Sequence, residues 1–153
     1  MKYIDNKYLF FGGCCSFAIS ILHIAIIIGG GDWYRFFGAG EKLALLAENG
    51  SLFPIIVTLV IVLIFAFFGL YAFSGAGLVR ELPMTKFVLV FISCVYLTRG
   101  VGSIPIILFV EHPYFTEIST RIVFVFASSI LSLVIGVVYG VGTLSFWFNC
   151  KIT

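Results

Sequence analysis

Four apolar runs, Leu9–Ile28, Leu52–Phe73, Phe87–Val110 and Ile122–Phe148, leave this chain very few ways to fold. Each is long enough to cross about 30 Å of hydrocarbon, which takes near 20 residues at about 1.5 Å per residue. Backbone N–H and C=O groups in lipid must pair within their own segment, so the runs are expected to be helices. Apolar residues make up 61% of the 153 and charged residues 10%. A soluble domain holds roughly 45–50% and 25%, and its interior has no room for such an excess. The reading is an all-α membrane protein, a four-transmembrane-helix bundle forming one domain over residues 1–153, with the lipid bilayer as its first partner.

Lys2 and Lys7 precede the first run as they would in a secretory leader. That run exceeds the usual 7–15 residues and no A-x-A-like cleavage site follows it, so it is expected to be retained as a span. The flanks set the orientation. Lys2, Lys7, Arg80, Lys86 and Lys151 fall on one side, against Arg35, Lys42 and Arg121 on the other, which puts both termini in the cytoplasm. The net charge of +2 is too small and too scattered to suggest nucleic acid, and no such partner is expected. Cys14, Cys15, Cys94 and Cys150 then avoid any oxidising compartment and include no C-x-x-C pair, so neither a disulfide nor thiol exchange is expected.

The connections differ in kind. SGAGLVRELPMTK, from Ser74 to Lys86, reads as a tight turn between spans. The first outer loop is longer: GGGDWYRFFGAGEKLALLAENGS, Gly29 to Ser51. Its glycines are expected to end the first helix, and EKLALLAEN to form a short interfacial helix that Gly50 closes. Trp33, Tyr34, Phe36 and Phe37 surround Arg35, a combination suited to the headgroup level, as an interfacial anchor or as a lid over the bundle.

Polar side chains within the spans are few, and helical spacing decides whether they meet. Gly12, Ser16, Ser20 and His23 fall within about an 80° arc of the first helix. In the fourth span Ser128, Ser132, Gly136 and Gly140 recur every fourth residue, with Ser129, Tyr139 and Thr143 nearby. Such small-residue series let helix backbones approach closely; Gly12, Ser16, Ser20, Gly136 and Gly140 are assigned to packing, or to a dimer contact. In the third span Tyr96, Arg99 and Ser103 share a face.

Arg99 stands out. A charge at the bilayer centre costs from about 2.5 to more than 10 kcal/mol, and no span holds an Asp or Glu. Glu111 is twelve residues on, roughly 18 Å along a helix. Pro105 cannot donate to the carbonyl of Val101, and Gly100 and Gly102 loosen the same turn, so the third span is expected to be kinked or broken around Arg99–Pro105. Arg99 is expected to point into the bundle. With His23, Tyr96, Ser103, Ser128, Ser132 and Tyr139 it would line an outward-facing polar pocket. His23 and His112 with Glu111 have no metal-ligand spacing, and no Ser-His-Asp set, paired carboxylates or phosphate loop can be drawn. Neither a metal nor catalysis is therefore expected.

A Leu22-His23 pair late in the first helix, FFGAG at Phe36–Gly40, GAGLVR at Gly75–Arg80 and two further spans together resemble the DoxX-like group of small four-helix bacterial membrane proteins. That resemblance implies the bacterial inner membrane, and either a quinone or a redox enzyme as partner. Arg99 departs from it. Two functions follow: a binding module that takes a small anionic or amphiphilic ligand, a lipid headgroup or a membrane partner at Arg99, with no cofactor, for transport, sensing or assembly; or a redox accessory protein receiving a quinone near His23 and Arg99. A homo-oligomer suits the first, since four helices enclose only a narrow cavity.

Overall fold

The computed structural model describes residues 6–109 and 122–149. The side chain of Ser103, and Glu111, His112, Arg121, Cys150 and Lys151, lie outside that description. The described residues form five helices: α1 Lys7–Phe36, α2 Glu41–Glu48, α3 Phe53–Gly75, α4 Thr85–Phe109 and α5 Ile122–Asn149. All but α2 are long and apolar enough to cross a membrane. The surface agrees with that reading. Ile28, Ile21, Leu63, Phe67 and Leu144 face outward, whereas Ser16, Ser20, Thr58, Ser93, Ser132 and Thr143 are buried. This arrangement, with hydroxyls kept inside and many large apolar side chains outside, suits a hydrocarbon solvent that gives apolar side chains no reason to hide.

α1 departs from the expected end at Ile28. Gly30 takes φ 67° and ψ −153°, which breaks the helical course, and the helix then resumes to Phe36. Glycine has no Cβ to oppose that backbone, so the run bends where a larger residue would terminate or clash. α4 is assigned as one helix from Thr85 to Phe109, through Gly100, Gly102 and Pro105. α2 occupies most of the stretch read as an interfacial helix.

The spans associate as two pairs, α1 with α3 and α4 with α5, joined by α1 against α5 and α3 against α4. In the first pair glycines and phenylalanines exchange places: the site a Cβ would fill at Gly13 is taken by Phe73, and that at Gly69 by Phe17. Ser20 donates to the Val62 carbonyl at 2.9 Å across the same contact. In the second pair Ser93 meets Gly140, Leu97 meets Gly136 and Gly100 meets Leu133. On each helix these positions are spaced alternately three and four apart, the coiled-coil seam of antiparallel neighbours. Ser93 donates to the Gly136 carbonyl at 2.8 Å. Ser129 continues the seam on α5; its hydroxyl is buried and has no hydrogen-bond partner among the described residues.

The start of α1 meets the last turns of α5. Asn6 caps α1 by accepting from the Leu9 N–H at 3.1 Å, and its Nδ2 donates to the Gly142 carbonyl at 2.7 Å, so α1 begins beside the end of α5. The turn between α3 and α4 is held at the same end. There Ser74 Oγ accepts from the Leu82 N–H at 2.9 Å, and Thr85 donates to the Leu82 carbonyl at 2.6 Å.

Candidate functional site

At the centre, three hydroxyls and one carbonyl connect all four long helices. Ser16 Oγ lies 3.0 Å from the Tyr96 hydroxyl and 2.7 Å from that of Tyr139, and Tyr139 donates to the Phe68 carbonyl at 3.2 Å. A phenol has one proton, and Tyr139 spends it on Phe68. Ser16 therefore donates to Tyr139, and Tyr96 donates to Ser16. The chain of bonds runs from α4 through α1 and α5 to α3 in a single sense. Because it ends on a carbonyl it cannot pass a proton onward, and its role is to fix the four spans in register. Gly12 admits the Tyr139 ring, whose nearest atom would stand 2.9 Å from a Cβ there.

Aromatic rings extend this layer. Tyr96 stacks on Tyr139 with ring centroids 5.6 Å apart, Phe65 meets Tyr96 at 6.0 Å, and His23 meets Phe65 at 5.5 Å. His23 is half-buried, with Nδ1 2.8 Å from the Ile19 carbonyl. A carbonyl only accepts, so Nδ1 carries the proton, and in the neutral ring Nε2 is the acceptor. Among the described residues no three His, Cys, Asp or Glu side chains gather where a metal could sit.

Helical spacing places Arg99 beside Tyr96, and in the structure the two differ in burial. Tyr96 is 2% exposed, whereas Arg99 lies on the exposed surface of α4. The cause is which neighbours α4 meets. Gly100 and Leu97 turn towards α5, Tyr96 turns towards Ser16, and Arg99 stands about 60° round from Tyr96 on the side away from Gly100. Arg99 interacts within the chain and remains exposed. Ser132 is buried on the α5 face that carries Tyr139, and Ser128 is half-buried with interactions of its own. Of the residues read as one pocket, the structure joins Tyr96 and Tyr139 directly and reaches His23 through Phe65; Arg99 sits outside that interior layer.

The loop after α1 forms a second polar centre that spacing did not reveal. Arg35 Nε and Nη2 donate to the two Glu41 oxygens at 2.8 and 2.7 Å. Nη2 also donates to Glu48 Oε2 at 3.0 Å, and Nη1 donates to Glu48 Oε1 and, at 3.4 Å, to Asp32 Oδ1. One planar fork thus grips both ends of α2. The guanidinium holds the Glu48 carboxyl below its ordinary value of 4.5, chiefly through these hydrogen bonds. Tyr34 is buried, with its hydroxyl 3.1 Å from Thr58 Oγ1 on α3. Trp33 and Phe36 are exposed, and Phe37 meets Phe124 of α5 edge-on at 6.1 Å, so the aromatic stretch reaches from α1 to α5. Glu41 and Glu48 share a face of α2, two turns apart, but Arg35 lies six and thirteen residues from them on another helix, a meeting that no helical repeat brings about.

No protein-family model, curated protein or solved structure matches this chain. The DoxX-like resemblance gains no support from those comparisons.

Proposed function

We propose that this integral membrane protein is a non-enzymatic module of the bacterial inner membrane that takes an anionic or amphiphilic group, such as a lipid headgroup, at Arg99. The carrying observation is Arg99 exposed on α4 one turn from the buried Tyr96–Ser16–Tyr139 layer. A guanidinium in the middle of a span is costly against lipid tails and well matched to a phosphate or carboxylate, which its fork binds in two-point fashion. Pro105 removes the helical donor of the Val101 carbonyl beside it and favours a kink there, a device common where spans line a binding site.

Native mass spectrometry of protein taken from mixed micelles tests this. Wild type is expected to retain phosphatidylglycerol in preference to phosphatidylcholine. Arg99→Leu should lose that preference while keeping its thermal midpoint, and Arg99→Lys should retain it poorly, because a point charge cannot reproduce the fork. An unchanged preference in Arg99→Leu sinks the reading. A quinone in the wild-type extract would favour the redox accessory alternative, for which the His23–Phe65–Tyr96 ring series is the supporting feature.

Both termini are assigned to the cytoplasm on the Lys and Arg balance of the flanks. On a cysteine-free background, a membrane-impermeant thiol reagent applied to intact cells should modify a cysteine at Asn49 and miss one at Gly77. The reverse labelling would invert the protein.

A further inference from the structure

α2 is eight residues long, far below the length at which a helix holds itself together in water. Leu43, Leu46 and Ala47 are half-buried, and Ala47 packs on the cluster beneath α2. Ala44 is its only fully buried residue, packed with Ile26 and Tyr34, and Leu45 is exposed. Gly40 before it and Gly50 after it have φ of 94° and 72°, conformations that glycine adopts without the steric cost a side chain would bring. Besides that apolar contact, Arg35 ties both ends of α2 to α1. The Glu48 side chain lies across Gly31, within 2.6 Å of where a Cβ would stand, so the bare backbone of α1 is the seat for the far end of α2.

We infer that α2 is a hinged lid over the bent end of α1, latched shut by the Arg35 fork on Glu41 and Glu48 and released by acid. The inference is independent of the reading of Arg99. The charged groups at the latch, among the described residues, are Arg35 and Asp32 on α1 and Glu41 and Glu48 on α2 with the neighbouring Lys42; the part of α3 that meets α2 carries none. Three carboxylates surround the one guanidinium, so with Arg35 gone they would repel one another. The sign is set by Glu48. Its carboxyl titrates lower in the latched state than when free, so the latch is complete above the ordinary value of 4.5 and is lost as pH falls through the depressed one. A protonated carboxyl also gives up one of its two accepting oxygens to carry the proton. Lys in place of Arg35 offers three donors from one point and cannot hold two carboxylates side by side.

Hydrogen exchange of the full chain in nanodiscs, corrected for the intrinsic pH dependence, reads the lid directly. At pH 7 the α2 amides should be protected in wild type; as an acid series is carried below 4.5 and through the depressed Glu48 value, their protection should fall roughly tenfold or more while α3 is unchanged. Arg35→Lys and Glu48→Gln should each show the low protection already at pH 7, with the pH step diminished. Glu48→Gln keeps size and shape, so it serves even where an Arg35 variant folds poorly. Equal protection of α2 at pH 7 in wild type and Glu48→Gln, or a full acid step in a Glu41→Gln/Glu48→Gln chain, overturns the latch.

Discussion

Gly136→Leu is expected to remove the folded bundle or to lower its stability by about 3 kcal/mol or more, at the upper end of what overpacking costs. A Cβ at Gly136 would stand 2.9 Å from Leu97 Cγ and 3.0 Å from the Leu97 backbone N. Side chains can yield, but a helix backbone cannot, so α4 and α5 would have to part along the seam. Separation would also stretch the 2.8 Å bond from Ser93 to the Gly136 carbonyl. Gly136→Ala should lose less, since it adds the first carbon only. Val137→Leu, one residue on and facing outward, should change little. Thermal unfolding of the three variants in one detergent supplies the comparison, and equal midpoints for Gly136→Leu and Val137→Leu would disprove the seam.

The second large effect is at Ser16. Ser16→Ala removes the acceptor of the Tyr96 proton and the donor to Tyr139. Tyr139 still donates to Phe68, so its loss is partial, whereas the Tyr96 hydroxyl is left buried without a partner. Stranding such a group costs about 1–3 kcal/mol. Adding Tyr96→Phe to Ser16→Ala should therefore restore most of the stability, because the stranded hydroxyl goes with it. This rescue is specific to the deduced sense of the bonds. A double variant weaker than Ser16→Ala by the full cost of Tyr96→Phe alone would mean that Tyr96 does not donate to Ser16.

Arg35 and Arg99 show how two arginines of one chain take different parts. Arg35 meets its carboxylates within the chain, where five N–H donors find acceptors on Asp32, Glu41 and Glu48. Arg99 also interacts within the chain, but it stays exposed on α4.

The run of apolar residues was enough to determine four long helices, their approximate bounds and the short helix after the glycine-rich loop. Each of these depends on local chemistry: backbone pairing in lipid, helical period, and glycine or proline at the ends. The helical period also put Gly12, Ser16, Ser20 and His23 on one face, because that needs no knowledge of a neighbour. What it could not contain was register between helices. Ser16 meets Tyr96 and Tyr139 only because α1, α4 and α5 settle at one relative height, and that height comes from glycines at 13, 69, 100 and 136 seating particular side chains of the opposite helix. The same packing chose Ser129 for the α4–α5 seam and turned Arg99 outward while Tyr96 went in. Past Gly30 the tertiary structure decided more still. One glycine at φ 67° lets α1 bend and continue, bringing Arg35 to carboxylates six and thirteen residues away, a meeting set by the path of the backbone and by no repeat in the sequence.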